Sequence, residues 1–280
     1  MTPGSMEATR DLGPRIKGGE LNYVCDKATL EEIKVALEVV RDQRLTKLSY
    51  TTRVTPVIVE EDVDTLGKAK EAGSRALFSS YVLERTCKII GERVQKSMEE
   101  LDLEGMPVGR WMKALSLDLS ATLRKLSLRH CRIGDEGCKS LRSSGLTTCL
   151  KELDLTGCVI SNTGAGSLAT LIASQSFRRV IDPDFRGVQK LVLSYNEIGN
   201  QGYSKLVDAI LNDYWIKSVE LRSCKITIPC DALRLALVNK EIEVFDLRDN
   251  PMPSKAVVEE VIRILKTRHP NEVSTYAWRE

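Results

Sequence analysis

The chain has few of the residues from which metal sites and nucleophilic catalytic sites are built. Only two of its 280 residues are histidine, and they lie far apart. Its eight cysteines include no C-x-x-C pair, and the spacings Cys131 to Cys138 and Cys224 to Cys230 are too long for the usual zinc knuckles. No G-x-S-x-G elbow or local cysteine-protease signature is present. We therefore expect no metal, no catalytic residues and no enzymatic activity.

Excess charge of one sign and long apolar runs are also missing. Lys and Arg number 41 against 39 Asp and Glu, a formal balance of +2. This balance is too small to indicate nucleic acid or a membrane surface as partner. No run approaches the roughly 18 apolar residues of a membrane span. Residues 1–19 lack the apolar stretch of a signal peptide, so we expect a flexible segment, its first five residues resembling an expression remnant.

The sequence instead repeats one phrase. Residues 123–133 and 150–160 both fit the leucine-rich-repeat frame L-x-x-L-x-L-x-x-(N/C)-x-L, and the same register begins again at residues 98, 188, 216 and 242. Measured between the first strand positions (residues 101, 126, 153, 191, 219 and 245), the steps are 25, 27, 38, 28 and 26. Apart from the 38, these steps match the long end of the leucine-rich-repeat range, about 20–29 residues, in which a helix forms the return leg.

This period predicts an α/β leucine-rich-repeat solenoid, a horseshoe with parallel strands on the concave face and helices on the convex face. We place the domain at residues 20–268, with degenerate repeats over 20–97 and regular repeats over 98–268. Leu21 and Leu48 head two degenerate repeats, and we expect a third, hidden unit near residue 75. The 38-residue step indicates an insertion at about 175–187. Residues 269–280 should form a tail that caps the open edge with Tyr276 and Trp278.

Two residue series mark where the repeats join. Cys131, Cys158 and Cys224 occupy the Cys/Asn position of the frame, so we expect buried, reduced thiols instead of disulfides. Small residues recur near the helix starts, where a larger side chain would meet the neighbouring repeat; they are Gly137, Gly164, Gly202, Cys230 and Ala256. Polar residues beside them are candidate N-caps: Asp135, Asn162, Asn200 and Ser254.

Residues 164–169, Gly-Ala-Gly-Ser-Leu-Ala, also match the dinucleotide-binding phrase G-x-G-x-x-A. A strand is expected before this phrase and a helix after it, so the context alone does not exclude a cofactor. Gly164, however, belongs to the series of small residues, and no separate βαβ unit surrounds it. Residues 164–169 are therefore better explained as the turn of a leucine-rich repeat than as a dinucleotide-binding loop, and we expect no cofactor.

Side chains that flank the strand leucines should form the concave face. Acidic, basic and acidic rows alternate there, so the face is not a continuous phosphate track. It suits a protein partner with matching charge rows, although ordinary solvated polarity explains the rows nearly as well. The candidate protein-binding residues on the strands are Lys125, Arg129, Glu152, Asp154, Arg222 and Arg248. Those in the insertion are Phe177, Arg178, Arg179 and Phe185.

Residues 126–137 resemble ribonuclease-inhibitor-type repeats. The chain from about residue 20 more closely resembles the centrosomal leucine-rich-repeat family of 78 kDa. Four features carry this resemblance: the degenerate repeats at Leu21 and Leu48, the insertion opening with Gln-Ser-Phe-Arg-Arg at 175–179, the run Leu-Arg-Asp-Asn-Pro at 247–251, and the ending Ser-Thr-Tyr-Ala-Trp at 274–278.

The resemblance implies a cytoplasmic, non-catalytic scaffold at centrioles and basal bodies. Such a scaffold supports centrosome and cilium or flagellum assembly and modulates a ubiquitin ligase. The implied partners are centriolar and ciliary proteins and a ubiquitin ligase complex, without nucleic acid or membrane insertion.

Three alternatives remain open. A GTPase-activating leucine-rich-repeat protein could use an exposed arginine such as Arg129. A nuclease-inhibitor-like binder would need an acidic concave face, which Lys125 and Arg129 oppose. An enzyme that used the glycine phrase would bind a dinucleotide.

Overall fold

Eleven strands are present in the described part of the chain. The computed structural model describes residues 15–17, 19–25, 36, 38–40, 45–52, 57–59, 77–94, 98–115, 122–143, 150–185, 187–211, 213–227, 238–239, 241–251 and 255–268. The strands are β1 (Arg15–Lys17), β2 (Glu20–Val24), β3 (Lys47–Thr51), β4 (Val57–Val59), β5 (Leu77–Ser79), β6 (Glu100–Asp102), β7 (Lys125–Ser127), β8 (Glu152–Asp154), β9 (Lys190–Val192), β10 (Ser218–Glu220) and β11 (Val244–Asp246).

Helices form the return legs of the repeats. They are α1 (Ser80–Val94), α2 (Gly134–Ser143), α3 (Asn162–Ile181), α4 (Gly199–Leu211) and α5 (Lys255–Arg268), and a 3-10 helix spans Gly109–Leu115. The first turn of α2 carries Asp135 and Glu136, which suits the positive end of the helix dipole. Helices α2, α3 and α4 pack side by side.

The main sheet adds its strands in chain order. Its order is β1-β2-β3-β6-β7-β8-β9-β10-β11, and every pair except β1–β2 is parallel. The apolar strand positions lie in register across it, from Leu21 through Leu48, Leu101, Leu126, Leu153, Leu191 and Val219 to Phe245. All eight are buried, because each repeat covers the apolar face of the next. The predicted leucine-rich-repeat solenoid is therefore confirmed, including its degenerate first strands.

The degenerate unit expected near residue 75 is present as strand β5 followed by helix α1, but it was wrongly expected to join the main sheet. Strand β3 pairs directly with β6, Leu48 lying opposite Leu101. The intervening strands β4 and β5 pair with each other in a separate two-stranded sheet. The 53-residue interval from Leu48 to Leu101 therefore adds no strand to the main sheet. The spacing of residues alone could not distinguish two successive repeats of the main sheet from one long segment that lies outside that sheet.

The Cys/Asn position of the frame ties each repeat to the one before it. The side-chain oxygen of buried Asn196 accepts hydrogen bonds from the backbone N–H groups of Cys158 and Ile160, both at 3.0 Å. Its side-chain nitrogen donates to the carbonyl oxygen of Leu155 at 2.9 Å. Asn250 makes the same set of bonds one pair of repeats further on. One amide group thus satisfies donors and acceptors that burial has removed from water.

Cysteine at this position also bonds to the preceding repeat, through one hydrogen bond from its thiol. Each thiol donates to a carbonyl oxygen of the preceding repeat: Cys131 to Leu103 at 2.9 Å, Cys158 to Leu128 at 2.8 Å and Cys224 to Leu193 at 3.1 Å. The six cysteines in the described part of the chain are free and buried. The repeat therefore accounts for Cys131, Cys158 and Cys224 without a disulfide.

The small residues near the helix starts make the expected close approach to the preceding repeat at two positions. A Cβ atom on Gly164 would lie 2.5 Å from Oδ1 of Asp135 in the preceding repeat, and one on Gly202 would lie 2.9 Å from Cβ of Ala165. At Gly137 the contact is with Ile133 of the same repeat. These distances leave no room for a side chain. Ala256, in contrast, is exposed, so close packing was wrongly expected there.

The candidate N-caps act between repeats, which corrects the prediction. The N-cap of α3 is Ser161, and Asn162 is the first helical residue. Oδ1 of Asp135 accepts hydrogen bonds from the backbone N–H groups of Ser161 at 2.9 Å and Gly164 at 3.0 Å. Asp135 therefore satisfies donors at the start of the following helix, the role that a cap fulfils on its own helix. Asn200 likewise accepts from a backbone N–H of the next repeat.

Several predictions fall outside the described residues. They concern the flexible segment over residues 1–14, the positions of Cys230 and Ser254, and the capping tail at 269–280. The predicted flexible segment extended to residue 19, which was wrong for Arg15–Lys17, because these residues form β1 and pair with β2.

Burial keeps the cysteine thiols protonated. It raises the pKa of Cys87 and Cys158 from the ordinary 9.0 to about 12 and that of Cys224 to about 11. In the unfolded chain the same thiols lose their protons near pH 9. The unfolded state therefore binds fewer protons above that pH, so stability is retained below about pH 9 and falls as the pH rises toward 11 or 12.

We expect the midpoint of urea unfolding to fall between pH 9 and 11, measured by circular dichroism. In a Cys158→Ala variant the slope of unfolding free energy against pH should be shallower by about 1.4 kcal/mol per pH unit, the contribution of one proton. An unchanged slope in that variant would show that this thiol ionises equally in both states.

Candidate functional site

The exposed face of the main sheet carries a groove of about 490 Å³. Charged and polar side chains of β2, β3, β6, β7, β8 and β9 line it, above the buried leucines of the same strands. Lys125, Arg129, Glu152 and Asp154 all lie in this groove. The structure thus brings together four of the residues proposed from the sequence.

Ion pairs link neighbouring strands along the first position of each strand. Nζ of Lys47 lies 3.1 Å from Glu20 and 3.4 Å from Glu100, and Nζ of Lys125 lies 3.4 Å from Glu152. Hydrogen bonds from the ammonium group to Glu20 and Glu100 raise the pKa of Lys47. These side chains remain 44–52% exposed, so each pair adds little to stability. They leave a surface whose charges are locally balanced.

Arg129 lies between two acidic neighbours. Its Nε is 3.7 Å from Glu104 on one side and 3.9 Å from Asp154 on the other. The guanidinium is therefore already partly neutralised within the protein. Nothing in this geometry favours Arg129 as a catalytic arginine finger. The mixed charge of the groove equally gives no support to a nuclease-inhibitor-like acidic face.

Arg222 and Arg248 lie at the carboxyl ends of the last strands and also have carboxylate partners. Arg222 pairs with Asp249, which raises the pKa of Arg222, and its guanidinium carbon lies 5.7 Å from the ring centre of Tyr195. Arg248 pairs with Asp246 of its own strand at 2.5 Å. Neither arginine lines the groove, so the structure separates them from the other candidates on the strands.

The insertion begins inside a helix. Residues 175–181 continue α3, which reaches 20 residues. Arg179 pairs with Asp213 of the following repeat, and Asp213 also accepts a hydrogen bond from the Ser176 hydroxyl at 2.5 Å. The Asp213 side chain is 2% exposed. On the same side of the helix, the side-chain oxygen of Gln175 accepts from the backbone N–H of Val188 at 3.1 Å. These contacts fix the end of α3 against the next repeat.

The opposite side of this helix end is apolar and exposed. Phe177, Val180 and Ile181 are 69%, 80% and 71% exposed, and their i, i+3, i+4 spacing places them together. We call these three residues the apolar helix face. Arg178 beside them is exposed, with its guanidinium carbon 4.8 Å from the ring centre of buried Phe185.

The candidates from the insertion therefore divide into two groups. Phe177 and Arg178 are accessible to a partner, whereas Arg179 and Phe185 brace the helix end from within. Val180 and Ile181 were not singled out from the sequence. A signal existed for Ile181: at 100° per residue it projects nearly opposite to Leu168 and Ile172, which point into the core, whereas Val180 lies at the side of the helix. A helix whose solvent-facing side is apolar at only one end indicates an exposed apolar patch at that end.

The fold is that of a leucine-rich-repeat protein. A family model described as "Leucine Rich repeat" matches residues 116–141, 148–169 and 188–207. The mouse centrosomal protein of 78 kDa is 29% identical over 201 residues, which cover 65% of this chain and 24% of that protein. The resemblance to the centrosomal family is thus confirmed, and the chain spans about a quarter of the length of this relative.

The mouse ribonuclease inhibitor is also similar, at 28% identity over 200 residues that cover 62% of this chain and 43% of the inhibitor. This match agrees with the ribonuclease-inhibitor-type repeats. A solved structure of the yeast Rad7 and Elc1 complex matches with a TM-score of 0.42 and 15% identity, covering 90% of this chain and 67% of that one.

No helix in the described ranges is both long and apolar enough to cross a membrane. Nor do the described residues include a group of three or more His, Cys, Asp or Glu side chains placed to hold a metal ion.

Proposed function

We propose that the chain is a non-catalytic protein-binding scaffold of the centrosome that supports centriole, basal-body and cilium assembly. Its partners are centriolar and ciliary proteins, among them a ubiquitin ligase complex that the scaffold modulates. The similarity to a centrosomal protein supports the location, and the repeat architecture supports binding as the activity. Because the relative is about four times longer than the matched segment, its assembly role is carried over as part of this proposal.

The observation that carries the proposal is the apolar helix face. Each of its three side chains leaves more than two thirds of its surface in water, a cost that a folded chain normally avoids by burial. A cluster of exposed apolar side chains is typical of an interaction site. The rigid support from Asp213 adds to this, since a preordered surface loses less conformational entropy on binding.

Affinity capture from ciliated cells tests the proposal. The tagged full-length protein is compared with a Phe177→Asp variant and with Thr170→Asp, a matched change on an exposed residue of the same helix. We expect Phe177→Asp to lower recovery of centriolar partners about tenfold or more, as for a buried aromatic anchor. Thr170→Asp should bind as the native chain does, and both variants should melt as it does.

Fluorescence microscopy of the same three proteins completes the test. Native protein and Thr170→Asp should concentrate at the centrosome. Diffuse native protein would remove the centrosomal location from the proposal. Full partner recovery by Phe177→Asp would show that the apolar helix face is not the binding surface.

A further inference from the structure

Six side chains on the exposed sheet face alternate in charge without interruption. In strand order they are Glu20, Lys47, Glu100, Lys125, Glu152 and Lys190, and each lies directly opposite the next in the register of the parallel strands. We call this row the charge ladder. All six line the groove, and their side chains are 44–52% exposed. The row ends at β10, where Ser218 follows Lys190 in the register.

The spacing of the charge ladder matches one kind of regular structure. Adjacent strands lie about 4.8 Å apart, so the six charges extend over roughly 24 Å. One turn of an α-helix advances about 5.4 Å, which differs from the strand spacing by about 0.6 Å. Side chains on one face of a β-strand recur every 6.6 Å or so, and a polyproline II turn advances about 9 Å. Of these three structures, only an α-helix can place one side chain per turn close enough to each of the six charges for flexible Lys and Glu side chains to make contact.

The alternation also restricts the charge of the partner. A partner whose row of charged side chains had only one sign would be attracted by three positions of the charge ladder and repelled by the other three. A helical partner whose row of side chains changes sign at each helical turn is attracted at all six positions. The Debye length at physiological salt is about 8 Å, less than two strand spacings, so the alternating fields cancel at a distance. Recognition by this face therefore acts at contact range and selects register more than it steers approach.

We propose that the groove binds a single α-helix of a partner protein, laid across the strands, that carries alternating basic and acidic residues at successive turns of one stripe. The inference deepens the proposed function, because it rests on the chain being a protein-binding scaffold and names the partner's chemistry at the concave face. About 16 helical residues, at 1.5 Å each, span the charge ladder. The apolar helix face lies on α3 and is not part of this contact.

Two synthetic helical peptides of about 20 residues test the proposal by fluorescence anisotropy at low ionic strength. In the first, Lys and Glu alternate at successive turns of one stripe. The second has the same composition with like charges grouped on successive turns. A third peptide carries alternating charges but contains enough proline to prevent helix formation.

The matched protein variant is the double exchange Lys125→Glu with Glu152→Lys. This exchange preserves net charge and the ion pair between β7 and β8, but it places like charges opposite each other at positions 100 and 125 and again at 152 and 190. Because the exchanged side chains are about half exposed, these like-charge neighbours should lower the melting temperature by a few degrees at most. Native protein should bind the alternating helix about tenfold more tightly than either other peptide, and the double exchange should abolish that preference.

Equal binding of the two helical peptides, or a preference that survives the double exchange, overturns the alternating-charge rule. Equal binding of the proline-containing peptide overturns the helical partner, and no binding of any peptide overturns the site. These outcomes are independent of the capture experiment with Phe177→Asp. Loss of the groove proposal therefore leaves the scaffold proposal standing, and the reverse outcome is equally distinguishable.

Discussion

Replacement of Asn196 by alanine is expected to lower the free energy of unfolding by about 3–5 kcal/mol, because several buried polar groups then lose their partners together. Cys158 and Ile160 would each keep a buried N–H without an acceptor, and the carbonyl of Leu155 would lose a donor. Each group left unsatisfied costs on the order of 1–3 kcal/mol. The losses fall on two adjacent repeats, so they weaken the interface between them.

Urea unfolding followed by circular dichroism measures this effect. The matched control is Glu197→Ala, one residue further on, where the side chain is 63% exposed and pairs with Lys225. An exposed pair contributes about 1 kcal/mol or less, so the control should unfold almost as the native chain does. If Asn196→Ala lowered the free energy of unfolding by less than about 1 kcal/mol, water would replace the amide at little cost. The Asn at this position of the frame would then not be needed to hold neighbouring repeats together.

Replacement of Asp213 by alanine should be similarly damaging, by about 3–5 kcal/mol, because it leaves the guanidinium of Arg179 without its carboxylate partner in a largely buried site. The same carboxylate accepts hydrogen bonds from the backbone N–H groups of Trp215 at 2.7 Å and Ile216 at 3.0 Å. Removal of the Asp213 side chain should therefore loosen both the loop before β10 and the end of α3. The apolar helix face would lose its rigid support, so partner capture should fall as well.

A double-mutant cycle distinguishes the ion pair from simple loss of packing. Removal of Arg179 together with Asp213 should cost less than the sum of the two single changes, since no unpaired charge is left buried. Arg178→Ala, on the exposed side of the same helix, is the control and should cost about 1 kcal/mol or less. Additive losses in the cycle would contradict a coupled buried pair.

The spacing of apolar residues was sufficient to predict the fold. Leu126, Leu153 and their counterparts recur because each must meet its equivalent in the next repeat, and burial enforces that period even where the rest of the frame has diverged, as at Leu21 and Leu48. The sequence also showed that acidic and basic rows alternate over β6 to β9. The first two members of the charge ladder could not be added from the sequence, because their inclusion depends on β3 pairing directly with β6.

The helix caps and the bracing of the insertion were beyond sequence reasoning for one common reason. Asp135 caps a helix that begins 27 residues later, and Arg179 finds its partner 34 residues away. Local capping rules assume that donor and acceptor belong to the same turn. In a stacked array the nearest neighbour in space belongs to the next repeat, so short-range patterns assign these residues to the wrong partner.

Amide hydrogen exchange of the native chain most directly tests whether the repeats form one stack. The backbone N–H groups that cross from one repeat to the next just after each strand are those of Leu103, Leu128, Leu155, Leu193 and Leu221, with donor–acceptor distances of 2.7–3.0 Å. Stacking requires that these five amides exchange among the slowest in the chain and at similar rates, since they open only when neighbouring repeats separate. Exchange of these amides at the rate of unprotected peptides, while the amides within α3 stay protected, would contradict a continuous stack.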